Sequence, residues 1–150
     1  RKTGVRTFEA AAFLRRCGAD VTRVHKMFRT DMAEYKARAE AVRHAEYIRI
    51  CINSCARPKL ASPTIVGAQA ANELLNIVGV RASIVLTEYN GRIYVSARSI
   101  DDVNVQVIME KMGGGGHLNM AGVQLECTLE EAMQQVRDTL DCMFEKGELE

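Results

Sequence analysis

The chain has 150 residues, 47% of them hydrophobic, and a formal net charge of +1. That length suits one domain, or one domain with part of a neighbour, and so apolar a chain is not disordered. Near-neutral charge and 5% aromatics, with no tryptophan, argue against a partner of long nucleic acid, but leave room for a small phosphorylated ligand.

The five cysteines, Cys17, Cys51, Cys55, Cys127 and Cys142, form no Cys-x-x-Cys pair. An odd count suits a reducing cytosol better than a secreted disulfide scaffold. Cys51 and Cys55 fall in a stretch read as a strand, where they stand too far apart to bridge. No apolar run approaches the roughly 20 residues of a membrane span. The opening Arg-Lys-Thr is neither a signal peptide nor an initiator sequence, so a fragment of a cytoplasmic region is expected.

In chain order, residues 7–17 read as a short helix with Thr7 as N-cap and Gly18 as the stop. Phe8, Phe13 and Leu14 make it too apolar for a free surface peptide, so it is expected to pack on a partner domain. A second short helix starts near Asp20. Asp31-x-x-Glu34 then resembles a capping box opening a helix over about 31–46, with a narrow stripe of Met32, Tyr35, Ala39 and Val42. Glu34 to Arg38 is a favourable i, i+4 pair on it, and His44 reads as a solvated face residue.

From Ile48 the period drops to two: Ile48, Ile50 and Ile52 alternate with polar residues as in a strand. Arg57-Pro58-Lys59 breaks it. Ser62-Pro63 opens a helix whose apolar face is Val66, Ala70, Leu74 and Val78, with Gly79 closing it. Ala82–Glu88 is a buried strand, and Asn90-Gly91 signals a hairpin. The returning strand sets Ile93, Val95 and Ala97 on one face and Tyr94, Ser96 and Arg98 on the other. An arginine at a strand end supplies a planar fork for phosphate or carboxylate, or else is simply a solvated edge residue.

Residues 101–112 alternate like a strand at Val103–Val107 but carry a helical stripe at Val105, Ile108, Met109 and Met112. A helix is expected, with Asp101-Asp102 as its cap and Asn104 in its first turn. Gly113–Gly116 and His117 follow. Four glycines in a row cost backbone entropy, so an ordered run needs a reason. Gly113 can cap the helix, and bare backbone N–H groups can cradle an anion; both readings stand at this point. The run lacks the Lys-Ser/Thr of a P-loop and follows no strand, as a dinucleotide fingerprint would. Val123–Cys127 reads as a last strand. Thr128-x-x-Glu131 is a capping box for a closing helix over 129–145, with Ala132, Val136, Leu140 and Phe144 inward. The fold class is α/β, a mixed sheet of about four or five strands flanked by helices.

The order Ser96-Ala97-Arg98-Ser99, Asn104-Val105-Gln106, Ile108-Met109-Glu110, Gly113–His117 and Asn119-x-Ala121-Gly122 resembles the DHHA1 domain of the DHH phosphodiesterase superfamily. It is most similar to the C-terminal part of the membrane-anchored, cyclic-di-AMP-degrading GdpP type. The opening Lys2–Ala11 resembles the tail of a DHH catalytic domain, just beyond its last metal-binding aspartate. The resemblance implies two parts: residues 1–46 as catalytic-domain tail and linker, and 47–150 as the substrate-binding domain.

It further implies that Ser96, Arg98, Ser99, Asn104, Gly114, Gly115, Gly116 and His117 bind substrate. Of these, His117 would steady the charge of the phosphate being cut. Two manganese ions in the absent DHH domain would activate the attacking water, so no cofactor is expected in this chain and the fragment alone should be inactive. The implied partners are a cyclic dinucleotide or short oligonucleotide and a DHH domain in the same polypeptide. A homodimer is allowed, no direct membrane contact is expected, and the resemblance allows a membrane anchor elsewhere in the parent protein. Two other readings compete. One is a nanoRNase-type enzyme acting on very short RNA; the other is a non-catalytic nucleotide- or RNA-binding module.

Overall fold

The computed structural model describes residues 4–48, 50–55, 63–100 and 102–149. The chain divides into two units, Arg1–Asp31 and Met32–Glu150.

The first unit holds α1 (Val5–Arg16) and α2 (Val21–Met27). Helix α1 starts earlier than Thr7 predicted. Gly4 is its N-cap, and the Thr7 N–H already donates to the Gly4 carbonyl at 3.0 Å, so Thr7 lies inside the first turn. Asp20 caps α2, its carboxylate accepting from the Thr22 N–H at 2.7 Å. Neither helix buries a residue; Phe8 is 65% exposed and Phe28 80%.

The second unit is built on one sheet. Its elements are α3 (Met32–Arg43), β1 (Glu46–Ile48), β2 (Ile50–Cys55), α4 (Pro63–Leu74), β3 (Ala82–Tyr89), β4 (Arg92–Ser99), α5 (Val105–Lys111), β5 (Gly115–His117), β6 (Met120–Leu125) and α6 (Leu129–Glu145). The strand order is β1-β2-β3-β4-β6-β5, with β2 and β3 parallel across the α4 crossover and every other pair antiparallel. Four strands have six or more residues; β1 and β5 have three each. The α/β mixed sheet is thus the one expected.

Alternation along β3 and β4 explains how the layers form. Ile84 and Leu86 point into a core with Ile93, Val95 and Ala97 of β4, Val105, Ile108 and Met109 of α5, and Ala132, Val136 and Leu140 of α6. Val85 points the other way, into a cluster with Ala70, Ala71 and Leu74 of α4 and Ala41 of α3. Strand β3 is therefore buried on both faces over its first six residues, which is why Ile84-Val85-Leu86 run apolar without alternation. Strand β4 alternates between buried and half-exposed residues, because helix α4 does not cover all of its outer face. Helix α4 sits close on β3: the Ser83 hydroxyl donates to the Ala71 carbonyl at 2.7 Å, and a Cβ on Gly67 would stand 2.2 Å from Thr87 Oγ1.

Several expectations change. The alternating stretch from residue 46 to 55 is two antiparallel strands rather than one, since a period of two says nothing of where the chain doubles back. Ser62 and Arg57–Lys59 lie outside the described residues. Helix α4 ends at Leu74, and Val78, assigned to its apolar face, is fully exposed in the turn that follows. On α3 the buried residues are Ala37 and Ala41, whereas Met32 and Tyr35 face solvent. Small side chains let α3 approach α4. Arg38 bonds across that contact to Glu73 at 2.8 Å, in place of the Glu34 pair expected from spacing. His44 stays exposed beside Glu40, as expected.

The Asn90-Gly91 hairpin and the α6 capping box form as read. Asn90 and Gly91 take φ of 52° and 74°, the positive values that a two-residue turn between twisted strands requires. The Thr128 N–H donates to Glu131 Oε2 at 2.8 Å, and the Glu131 N–H returns to Thr128 Oγ1 at 3.2 Å.

Two outcomes follow from this packing. Leu74→Ala should cost about 2–5 kcal/mol in urea unfolding, and Val78→Ala less than about 0.5 kcal/mol. Equal losses would contradict the early end of α4. The hydrogen bond from the Thr128 N–H, then that from its hydroxyl, holds the Glu131 carboxyl below its ordinary value. A depressed folded pKa gives stability that is present above the unfolded value and lost as pH falls through the folded one. Glu131→Gln keeps the capping acceptor without the titration, so it should flatten the decline of Tm at acid pH; an unchanged slope would contradict this.

Candidate functional site on the open sheet face

Cross-strand partners share a face of the sheet. Arg98 of β4 pairs with Met120 of β6, and Met120 pairs in turn with His117 of β5. Arg98 and His117 therefore stand on the same face, separated by about two strand spacings, or about 10 Å. The next row on that face is Ser96, Gly122 and Gly115, and beyond it Tyr94 faces Gln124. Helix α4 covers this face over β3 but leaves these rows open. A cleft of about 470 Å³ lies over them, lined by Tyr94, Ser96, Gly113, Gly114, Gly122 and Gln124, with Thr64 from the first turn of α4 at its wall. The positive end of α4's dipole thus lies at the edge of the cleft.

The glycine run divides into separate tasks. Asn104, not Asp102, caps α5, accepting from the Gln106 N–H at 3.1 Å; Asp101 lies outside the described residues. After Met112, Gly113 takes φ +84° and donates to the Glu110 carbonyl, while Gly114 donates to the Met109 carbonyl at 2.8 Å. These paired bonds form a Schellman closure, so the N–H of Gly114 is spent on the helix. A Cβ on Gly114 would stand 2.3 Å from the Gly122 carbonyl oxygen, and one on Gly116 would stand 2.4 Å from that of Met120. A Cβ on Gly122 would stand 2.7 Å from the Val95 carbonyl oxygen. Close approach of backbones explains these three glycines. Gly115 alone meets nothing within 4 Å and has no positive φ. Instead of an irregular loop, residues 115–117 form an edge strand, paired to β6 through the Leu118-Asn119 turn.

Arg98 is half-buried. Its Nη1 donates to the carbonyl of Ala97 at 2.8 Å, and its Nε is buried with no partner among the described residues. No carboxylate among those residues pairs with it, and burial pulls its guanidinium below the ordinary arginine value. It stays charged, since arginine does not deprotonate in proteins. A partly desolvated, under-satisfied cation gains by turning onto an anion. His117 is exposed at the end of β5.

Of the predicted site residues, Ser96 and Gly114 line the cleft, Arg98, Gly115, Gly116 and His117 continue the same sheet edge beyond it, and Ser99 and Asn104 sit apart. Ser99 is buried, and its hydroxyl reaches the Leu118 carbonyl at 3.4 Å while its N–H donates to the Asn119 carbonyl at 3.1 Å. It secures the turn after His117. Asn104 borders a different recess of about 300 Å³ with Arg81 and Asp102. The Val105 N–H donates to the Leu118 carbonyl at 3.0 Å, so the start of α5 is fastened to that same turn. The structure thus gathers Ser96, Arg98, Gly114, Gly115, Gly116 and His117, but not Ser99 or Asn104. Tyr94 and Gln124 are cleft residues not foreseen as such. Tyr94 shares its face with Ser96 and Arg98 by simple alternation, but its pairing with Gln124 depends on the register of β4 against β6.

A family model described as the DHHA1 domain matches residues 57–146. The chain belongs to the DHHA1 domain family. Its DHHA1 sequence is 43% identical to the cyclic-di-AMP phosphodiesterase GdpP of Geobacillus thermodenitrificans over 97% of the chain and 23% of that protein. It is 39% identical to the cyclic-di-AMP phosphodiesterase PdeA of Listeria monocytogenes over 98% of the chain and 23% of that protein. Among solved structures, an exopolyphosphatase-related protein from Bacteroides fragilis superposes with a TM-score of 0.78 at 19% identity, over 94% of this chain and 44% of that one. The DHHA1 chain therefore spans about a quarter of the length of these curated relatives.

Among the described residues, no group of three or more His, Cys, Asp or Glu could hold a metal ion. The metal that the family resemblance implies therefore finds no such ligand set among the described residues. No described helix is long and apolar enough to cross a membrane.

The division of labour among the glycines is open to test. Gly114→Ala and Gly116→Ala should each lower stability by about 1–3 kcal/mol in urea unfolding, because a Cβ would meet backbone. Gly115→Ala should be neutral or slightly stabilising. A loss at Gly115 as large as the other two would contradict the assignment.

Proposed function

We propose that this chain is the substrate-binding portion of a phosphodiesterase that opens cyclic di-AMP to the linear dinucleotide. The observation that carries the proposal is the pairing of an under-satisfied, half-buried Arg98 with an exposed His117 on one open sheet face, with no carboxylate among the described residues to neutralise the arginine. That arrangement suits a phosphodiester, and the names of the relatives supply the substrate.

In this reading the guanidinium of Arg98 turns its free donors onto the non-bridging oxygens of a phosphate. His117 donates to the same group or its neighbour, stabilising charge that builds as the ester is cut. Gly115, which the fold does not require to be glycine, lets the ligand lie close to the backbone. Gly116 lends a second bare backbone unit, and Ser96 a hydroxyl beside them. Ser99 and Asn104 act indirectly, by fixing the Leu118-Asn119 turn and hence His117. The attacking water, and the manganese expected from the family resemblance, belong to residues outside this chain. The exposed apolar residues of α1 and α2 then suit packing against that catalytic domain.

His117→Ala in the full-length protein should lower turnover of cyclic di-AMP at least about tenfold, the loss typical of one oxyanion-type donor. Near-wild-type turnover would remove His117 from the reaction. Arg98→Lys should weaken ligand binding about tenfold in calorimetry, because a point charge does not replace a planar fork. Unchanged affinity would contradict its role. A wild-type enzyme that prefers linear dinucleotides would replace the cyclic substrate with short RNA.

A further inference from the structure

The open sheet face has two chemically different ends. At one, Arg98 and His117 present nitrogen donors suited to phosphate. At the other, about four residues or 13 Å along β4, Tyr94 of β4 stands opposite Gln124 of β6, with Thr64 across from them. None of the residues lining the cleft carries a charge. For a phosphate this end offers no charged side chain, only the N-terminal turn of α4 at Thr64, whereas a flat, uncharged heterocycle meets a ring and an amide.

The chemistry present there is that of base recognition. The Tyr94 ring offers a stacking face, and it is tilted 51° against Tyr89 with centroids 6.3 Å apart, so a neighbouring ring backs it. The Gln124 side chain is exposed, and its amide has no hydrogen-bond partner among the described residues. A carboxamide supplies one donor and one acceptor side by side. That matches the adjacent amino donor and ring-nitrogen acceptor of a 6-aminopurine; the corresponding edge of guanine offers two acceptors and calls for a cationic fork. Between the two ends, Gly122 and Gly115 project no side chain, and Ser96 adds a short hydroxyl, so a sugar has room to lie flat.

We infer that Tyr94 and Gln124 form a 6-aminopurine subsite, placing the base of a nucleotide whose phosphate is held by Arg98 and His117. This inference rests on the reading of the cleft as a nucleotide site and names the part of it that selects the base. It gives a role to the ring and the amide that stand opposite one another on the open face.

The test compares AMP with ribose 5-phosphate as probes, by calorimetry on the full-length protein. In the wild type AMP should bind more tightly than ribose 5-phosphate. Gln124→Ala should reduce AMP affinity about tenfold and leave ribose 5-phosphate unchanged, and Tyr94→Leu should do the same. GMP should bind more weakly than AMP to the wild type, and Gln124→Ala should narrow that difference. An AMP to ribose 5-phosphate ratio unaltered by Gln124→Ala overturns the subsite, as does an equal loss for both probes. Absence of cyclic di-AMP turnover by the wild type would instead overturn the enzymatic reading, and the affinity ratio would still decide the base subsite.

Discussion

Backbone contact at the edge of the sheet, made possible by missing side chains, is the constraint on which the candidate site depends. A Cβ at Gly114, Gly116 or Gly122 would come within 2.3, 2.4 and 2.7 Å of a carbonyl oxygen respectively. With hydrogen there instead, the end of α5 closes against β6, β6 lies tightly along β4, and β5 pairs at the edge. His117 is then carried into register with Met120 and so onto the face of Arg98. Of the two explanations of four consecutive glycines, helix cap and ligand cradle, the first holds at the start of the run. Gly113 and Gly114 end the helix, and Gly115 is left without a structural duty.

The two faces of the sheet differ in what covers them. Helices α5 and α6 cover one face over β3, β4 and β6, and this core holds Ile108, Met109, Val136 and Leu140. On the other face α4 covers β3 and stops short, so that β4, β6 and β5 keep an open surface. Charge is handled accordingly. Arg38, Arg92 and Arg137 each pair with a glutamate, while Arg98, among the described residues, donates only to main-chain carbonyls. An arginine left in that condition is costly for a fold and useful to a ligand.

What was legible in the sequence was mostly local. Asn90-Gly91 and Thr128-x-x-Glu131 specify their geometry within four residues, and both form as read. The alternation of Ile93, Val95 and Ala97 against Ser96 and Arg98 also carried over. Failures came where pairing partners decide. Gly115–His117 has no strand propensity of its own and becomes a strand because β6 lies beside it. Arg38 was matched to Glu34 by spacing along its helix, but a glutamate on α4 lies within reach. Val78 continued a helical period past the point where the helix ends. Gln124 escaped notice because no local pattern announces which residue of β6 will face Tyr94. Family resemblance named Arg98 and His117, and the register shows that they share a face.

The central claim is that the open face of β4, β6 and β5 holds a phosphodiester between Arg98 and His117. The most direct measurement is a crystal structure of the full-length protein with a non-hydrolysable phosphorothioate analogue of cyclic di-AMP. The account predicts a thiophosphate within hydrogen-bond reach of both the Arg98 guanidinium and the His117 ring, over Gly115. A ligand bound elsewhere, with Arg98 still turned onto the Ala97 carbonyl and His117 in solvent, would contradict it.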